Sequence, residues 1–128
     1  MAPSGDAAAQ GAADTGGMHI VHHAHLSCEQ HDGQRCLVAA DPRQGLTQFR
    51  VWVLTLDPGA ATIDQCHQGE LVAIALQGSG KLLVDGGPQR FHAPCTLAIP
   101  REVAFHVANN GSTPLELVIV FTEAPEPA

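Results

Sequence analysis

Apolar positions along this chain fall in short blocks separated by turn residues, with no helical stripe. Thr47 to Leu56 is β-branched and apolar and stops at Asp57-Pro58-Gly59, and Leu71 to Leu76 is a continuous apolar run stopped by Gln77-Gly78-Ser79-Gly80. Lys81 to Val84 closes on Asp85-Gly86-Gly87-Pro88, which has the composition of a hairpin turn. Gln89 to His92, Thr96 to Ile99 and Val103 to Ala108 follow, punctuated by Pro94, Pro100 and Asn109-Asn110-Gly111. After Pro114, the residues Leu115, Leu117, Ile119 and Phe121 alternate with Glu116, Val118, Val120 and Thr122. Arg35 to Ala40 and His19 to His22 add upstream strands. Eight or nine short strands and no amphipathic helix predict an all-β sandwich or barrel. Leu71 to Leu76 and Val118 to Phe121 are apolar on both faces, which fits a barrel whose outer face meets a second copy, so a homodimer is expected.

The 128 residues hold one core and not two. Residues 18–122 are the predicted barrel domain. Residues 1–17, rich in Ala and Gly, are expected to form a flexible leader, and 123–128, with two prolines, a tail that cannot extend the sheet. Met18 follows Gly16-Gly17, so the leader is either dispensable or a native extension.

Composition narrows the partners. Net charge is −7, and Arg35, Arg43, Arg50, Lys81, Arg90 and Arg101 are scattered singly, without the clustered cations that phosphate neutralisation needs. Nucleic acid is therefore not an expected partner. No apolar run approaches the roughly 20 residues of a membrane-spanning helix, and residues 1–17 lack a charged and apolar export signal. A cytoplasmic location is expected, with Cys28, Cys36, Cys66 and Cys95 as thiols and no CxxC spacing for zinc.

The stretch from Gly59 through Gln65-Cys66-His67 and Glu70 to Gly78 resembles the first motif of the cupin superfamily: Gly, five residues, His-x-His, three or four residues, Glu, six residues, Gly. Pro94 to Asn110 resembles the second: Gly, five residues, Pro-x-Gly-x-x-His, three residues, Asn. The resemblance spans Thr47 to Thr122, about 60 % of the chain. It implies a double-stranded β-helix, or jelly-roll, barrel. In such a barrel two side chains at i and i+2 point inward from one strand. With a carboxylate and a third imidazole they surround a divalent ion such as zinc, iron, manganese, nickel or copper.

This chain departs from that pattern at most ligand places. Gln65 stands for the first His, as in the zinc-binding phosphomannose isomerases, and His67 matches directly. Counting with three intervening residues puts Leu71 in the Glu place, while Glu70 lies one residue early. The second motif puts Phe105 in the His place with Asn109 beyond it, and a one-residue shift brings in His106 and Asn110 instead. Its glycine places hold Pro94 and Glu102. If both shifts occur, Gln65, His67, Glu70 and His106 converge on a metal; if neither does, Leu71 and Phe105 line a mostly apolar pocket.

Two functions follow, from different classes. One is a binding module holding a small organic molecule without metal chemistry. The other is a metal-dependent enzyme of dioxygenase or sugar-isomerase type, because cupins serve as both and the fold does not choose. The histidines His19, His22, His23, His25 and His31 read as surface residues, Trp52 as core packing, and Cys66 as turned away from the cavity. His92 either lines the barrel mouth or faces solvent.

Overall fold

The computed structural model describes residues 18–62, 65, 66, 68–84 and 87–122. The expected leader 1–17 and tail 123–128 lie outside these residues. Among the described residues there are ten strands: β1 (Glu29–His31), β2 (Gln34–Ala40), β3 (Arg50–Leu56), β4 (Gln65–Cys66), β5 (Leu71–Gln77), β6 (Ser79–Val84), β7 (Gly87–His92), β8 (Cys95–Ile99), β9 (Ala104–Ala108) and β10 (Leu115–Phe121). They form a six-stranded sheet in the order β1-β2-β3-β10-β5-β8 and a four-stranded sheet in the order β4-β9-β6-β7. All pairings are antiparallel. The last strand returns between β3 and β5, the crossed connection of a jelly roll.

Period-2 alternation decides what each strand buries. Leu71, Ala73 and Ala75 of β5 and Leu115, Leu117 and Phe121 of β10 are buried between the sheets, where Phe105 and Val107 of β9 meet them. The intervening side chains of the six-stranded sheet face outward. Leu37, Val53, Val118 and Ile74 form one cross-strand row on that outer face, and Ala40, Val51, Val120 and Val72 the next. These residues are only half-buried. The two-faced apolar strands expected from the sequence are thus observed.

One expectation needs correction, and two strands are added. His19 to His22 is not a strand. It leads into a 3-10 turn at His23–His25 whose residues are exposed, and Ile20 is left 84 % exposed outside any strand. The chain also contains two strands that the apolar pattern does not announce, β1 and β4. β1 is fully exposed and has no apolar alternation; its hairpin to β2 rests on Asp32 and Gly33, both at positive φ (50° and 81°), the backbone a two-residue hairpin turn requires.

The tip of that hairpin is tied to the loop after β3. Asp57 N–H donates to the Gly33 carbonyl at 2.9 Å, Gln34 Nε2 donates to the Ala61 carbonyl at 3.1 Å, and Arg35 pairs with Asp57 at 3.1 Å. Deeper, Asn109 is 2 % exposed, and its side chain joins three segments. Its amide donates to the carbonyls of Leu56 (2.9 Å) and Thr113 (2.8 Å), and its oxygen accepts from Gly111 N–H (2.9 Å). A buried amide with these partners holds its loop in one conformation, since releasing any of them strands a polar group at about 1–3 kcal/mol.

The motif glycines Gly59 and Gly78 both lie at positive φ (85° and 93°). They differ in surroundings: a Cβ on Gly59 would meet nothing within 4 Å, whereas one on Gly78 would lie 2.6 Å from the Pro114 carbonyl oxygen and 2.9 Å from Leu115 Cα. Gly59→Ala is expected to cost about 1–2 kcal/mol from backbone strain alone. Gly78→Ala is expected to cost about 2–5 kcal/mol, because a clash with rigid backbone adds to that strain. Urea unfolding of the two variants should show this order.

Candidate functional site

A cavity of about 350 Å³ lies between the sheets. Its apolar wall is built from inward positions of five strands: Trp52 and Leu54 of β3, Leu71 and Ala73 of β5, Ile99 of β8, Phe105 and Val107 of β9, and Leu117, Ile119 and Phe121 of β10. Val38 of β2 joins them. The polar part comes from the edge of the six-stranded sheet, with Glu29 and His31 on β1 and Gln34 and Cys36 on β2, and from Thr62 across the gap.

Both register questions are answered by strand parity. Leu71 and Phe105 line the cavity. Glu70 precedes β5 and is exposed, and His106 sits between two inward residues of β9, so its side chain lies on the other face of the four-stranded sheet. Asn109, not Asn110, is the buried asparagine, which fits the register that puts Phe105 in the His place. Glu102 reinforces this: it occupies a glycine place of the motif and adopts φ 61°. A left-handed backbone of the kind that glycine favours is thus found at this place under a glutamate side chain.

Of the candidate ligands, Gln65 lies on β4 with its backbone opposite Phe105, and its side chain and His67 lie outside the described residues. Glu70 and His106 do not join the cavity wall, so the described part of the four-residue set does not converge. The residues in the carboxylate and second-motif imidazole places are Leu71 and Phe105, whose carbon side chains offer no lone pair. Among the described residues no three His, Cys, Asp or Glu side chains gather where they could hold a metal. The described part of the donor set therefore does not fit a three-histidine, one-glutamate centre.

Other expectations resolve in the same way. Trp52 is a cavity residue, 38 % exposed, set edge-to-face on Phe121 with ring centroids 4.9 Å apart. Cys66 is exposed and His92 faces solvent opposite Ser79. The polar side of the cavity was not legible as a site. Its one sequence signal is the Asp32-Gly33 pair, a hairpin marker that folds Glu29 and His31 back over Cys36 and Gln34.

The polar groups are already partly engaged. Thr62 Oγ1 accepts from Val107 N–H at 3.0 Å, leaving its own hydrogen to donate. His31 Nε2 lies 3.2 Å from the Asp32 carboxylate, both strongly exposed. Burial pushes the Cys36 thiol above its ordinary pKa, and the nearby Glu29 carboxylate and Cys28 push it further. Cys36 is thus a weakly polar wall group and a poor nucleophile at neutral pH.

Residues 52–121 match the model of the Cupin domain family. The chain is a cupin. Auxin-binding protein 1 of Arabidopsis thaliana is 30 % identical over 97 residues, which is 69 % of this chain and 49 % of that protein; the cupin thus spans about half the length of this curated relative. Among solved structures, a polyketide cyclase from Streptomyces resistomycificus superposes with a TM-score of 0.73 at 19 % identity, over 86 % of this chain and 82 % of that one. A predicted oxalate decarboxylase from Thermotoga maritima gives 0.75 at 17 % identity, over 83 % and 100 %. At such identities these two likenesses speak for the fold and not for a shared reaction.

The position of Glu29 beside Cys36 yields a test. Iodoacetamide labelling followed by peptide mass spectrometry should find Cys36 slower than the exposed Cys66 at pH 8. Glu29→Gln should accelerate Cys36 severalfold by removing a charge that opposes the thiolate.

Proposed function

We propose that this cupin binds a small, largely apolar organic molecule in its barrel cavity and does so without a catalytic metal centre. The observation that carries this reading is the presence of Leu71 and Phe105 on the cavity wall, in the places where the family's pattern asks for a carboxylate and an imidazole. Removing two donors leaves too little to hold a divalent ion against water. It leaves instead an apolar chamber with a few polar groups on one side, the usual composition of a small-molecule pocket. At about 350 Å³ it lies at the small end of the roughly 300–1,000 Å³ range of such pockets. It is roughly twice the ~150 Å³ that takes a benzene ring, so one or two fused rings suit it. The Arabidopsis relative is an auxin-binding protein by name, which accords with a ligand-binding use of the fold.

The same proposal places the chain in a homodimer formed through the outer face of the six-stranded sheet. The two cross-strand rows of Leu37, Val53, Val118 and Ile74 and of Ala40, Val51, Val120 and Val72 support it, being a flat apolar surface of the kind that a second copy covers. No helix among the described residues is long and apolar enough to cross a membrane. The four cysteines are free, as they would remain in a reducing cytoplasm, the location this reading assigns.

Calorimetric titration with indole, used as a bicyclic probe, should show saturable one-to-one binding. Ala73→Phe, which fills the chamber from β5, should abolish it while the far-ultraviolet circular dichroism is kept. Elemental analysis after reconstitution with zinc, iron, manganese and nickel is expected to find no stoichiometric metal. Near-stoichiometric metal that disappears on His67→Ala would instead establish a metal centre that includes His67. Light scattering should give a dimer mass, and Val118→Lys on the outer face should give a monomer.

A further inference from the structure

We propose that Glu29 makes the cavity selective for aromatic amines over aromatic carboxylates. This rests on the cavity being a ligand site, and it adds a charge preference that the apolar wall alone cannot supply. Among the described lining residues Glu29 is the one carboxylate, and there is no Lys or Arg. Arg35, its neighbour across the hairpin, is engaged on Asp57 at 3.1 Å and lies on a strand position opposite in parity to Cys36. Arg43 is held by Asp41 at 3.1 Å. His31, the basic side chain among the described lining residues, sits 3.2 Å from the Asp32 carboxylate.

The geometry brings Glu29 to bear on a ligand inside the chamber. Glu29 stands opposite Cys36 in the β1–β2 register, and Cys36 stands opposite Leu54, both on the cavity wall. The charge is felt there: Glu29 helps to hold the Cys36 thiol above its ordinary pKa. An ammonium on a short chain can reach this rim while its ring lies against Trp52, Phe105 and Phe121. A carboxylate in the same place meets Glu29, with no Lys or Arg among the described lining residues to answer it. The chemical class that fits is a primary arylalkylamine with one or two rings.

Indole, tryptamine and indole-3-acetate separate this preference from the cavity reading, because they share one ring system and differ in charge. Calorimetry at low ionic strength should rank tryptamine about tenfold tighter than indole-3-acetate, as expected where an exposed ion pair is gained in one case and a like-charge contact in the other. The ratio should shrink toward one in Glu29→Gln and with added salt. If indole binds and indole-3-acetate equals or exceeds tryptamine, the charge preference is overturned and the cavity reading stands. A ratio unchanged in Glu29→Gln also overturns the role of Glu29. If none of the three binds, both fall.

Discussion

The buried amide of Asn109 is the contact on which the arrangement of the barrel depends. It joins the end of β3, the turn leading to β10 and its own loop through three hydrogen bonds, and the backbone of the same residue exchanges bonds with Gly59 and Ala60. A side chain so placed cannot be moved by one position without leaving several polar groups unpaired in the interior. The alternation of β9 is thereby set, with Phe105 and Val107 facing the chamber and His106 on the opposite face. The left-handed turn at Glu102, just before β9, is consistent with the same register. The chemistry of the cavity is therefore a consequence of strand phase, because two adjacent residues of opposite character compete for one inward position.

The two sides of the chamber are built on different principles. Inward positions of strands from both sheets supply the apolar wall, where an unpaired charge would be costly. An edge strand of three exposed residues, anchored by its hairpin turn and by the ties from Gly33, Gln34 and Arg35 to the loop after β3, supplies the polar side. Such an edge tolerates ionisable groups because solvent still reaches them. Glu29 and His31 can stand there at little cost, yet close enough for the field of Glu29 to reach Cys36 inside.

The backbone turns at the motif's glycine places are present in this chain, while Leu71 and Phe105 stand at two of its ligand places. Gly59 and Gly78 lie at positive φ, and so does Glu102 without being glycine. At the ligand places Leu71 and Phe105 contribute packing, and Trp52 and Phe121 add an aromatic pair to the same wall.

The sequence by itself determined the fold class, most strand positions and the glycine turns, because these follow from local alternation and from residues with special backbone freedom. It narrowed the site to two pairs, Glu70 or Leu71 and Phe105 or His106, and could go no further. A one-residue slip exchanges the faces of a strand while leaving its local composition unchanged. Only the tertiary structure decided between them, through cross-strand register and the long-range bonds of Asn109. It also disclosed the polar side, since Glu29 and His31 carry no apolar pattern and become cavity residues only when a distant part of the chain forms the opposite wall.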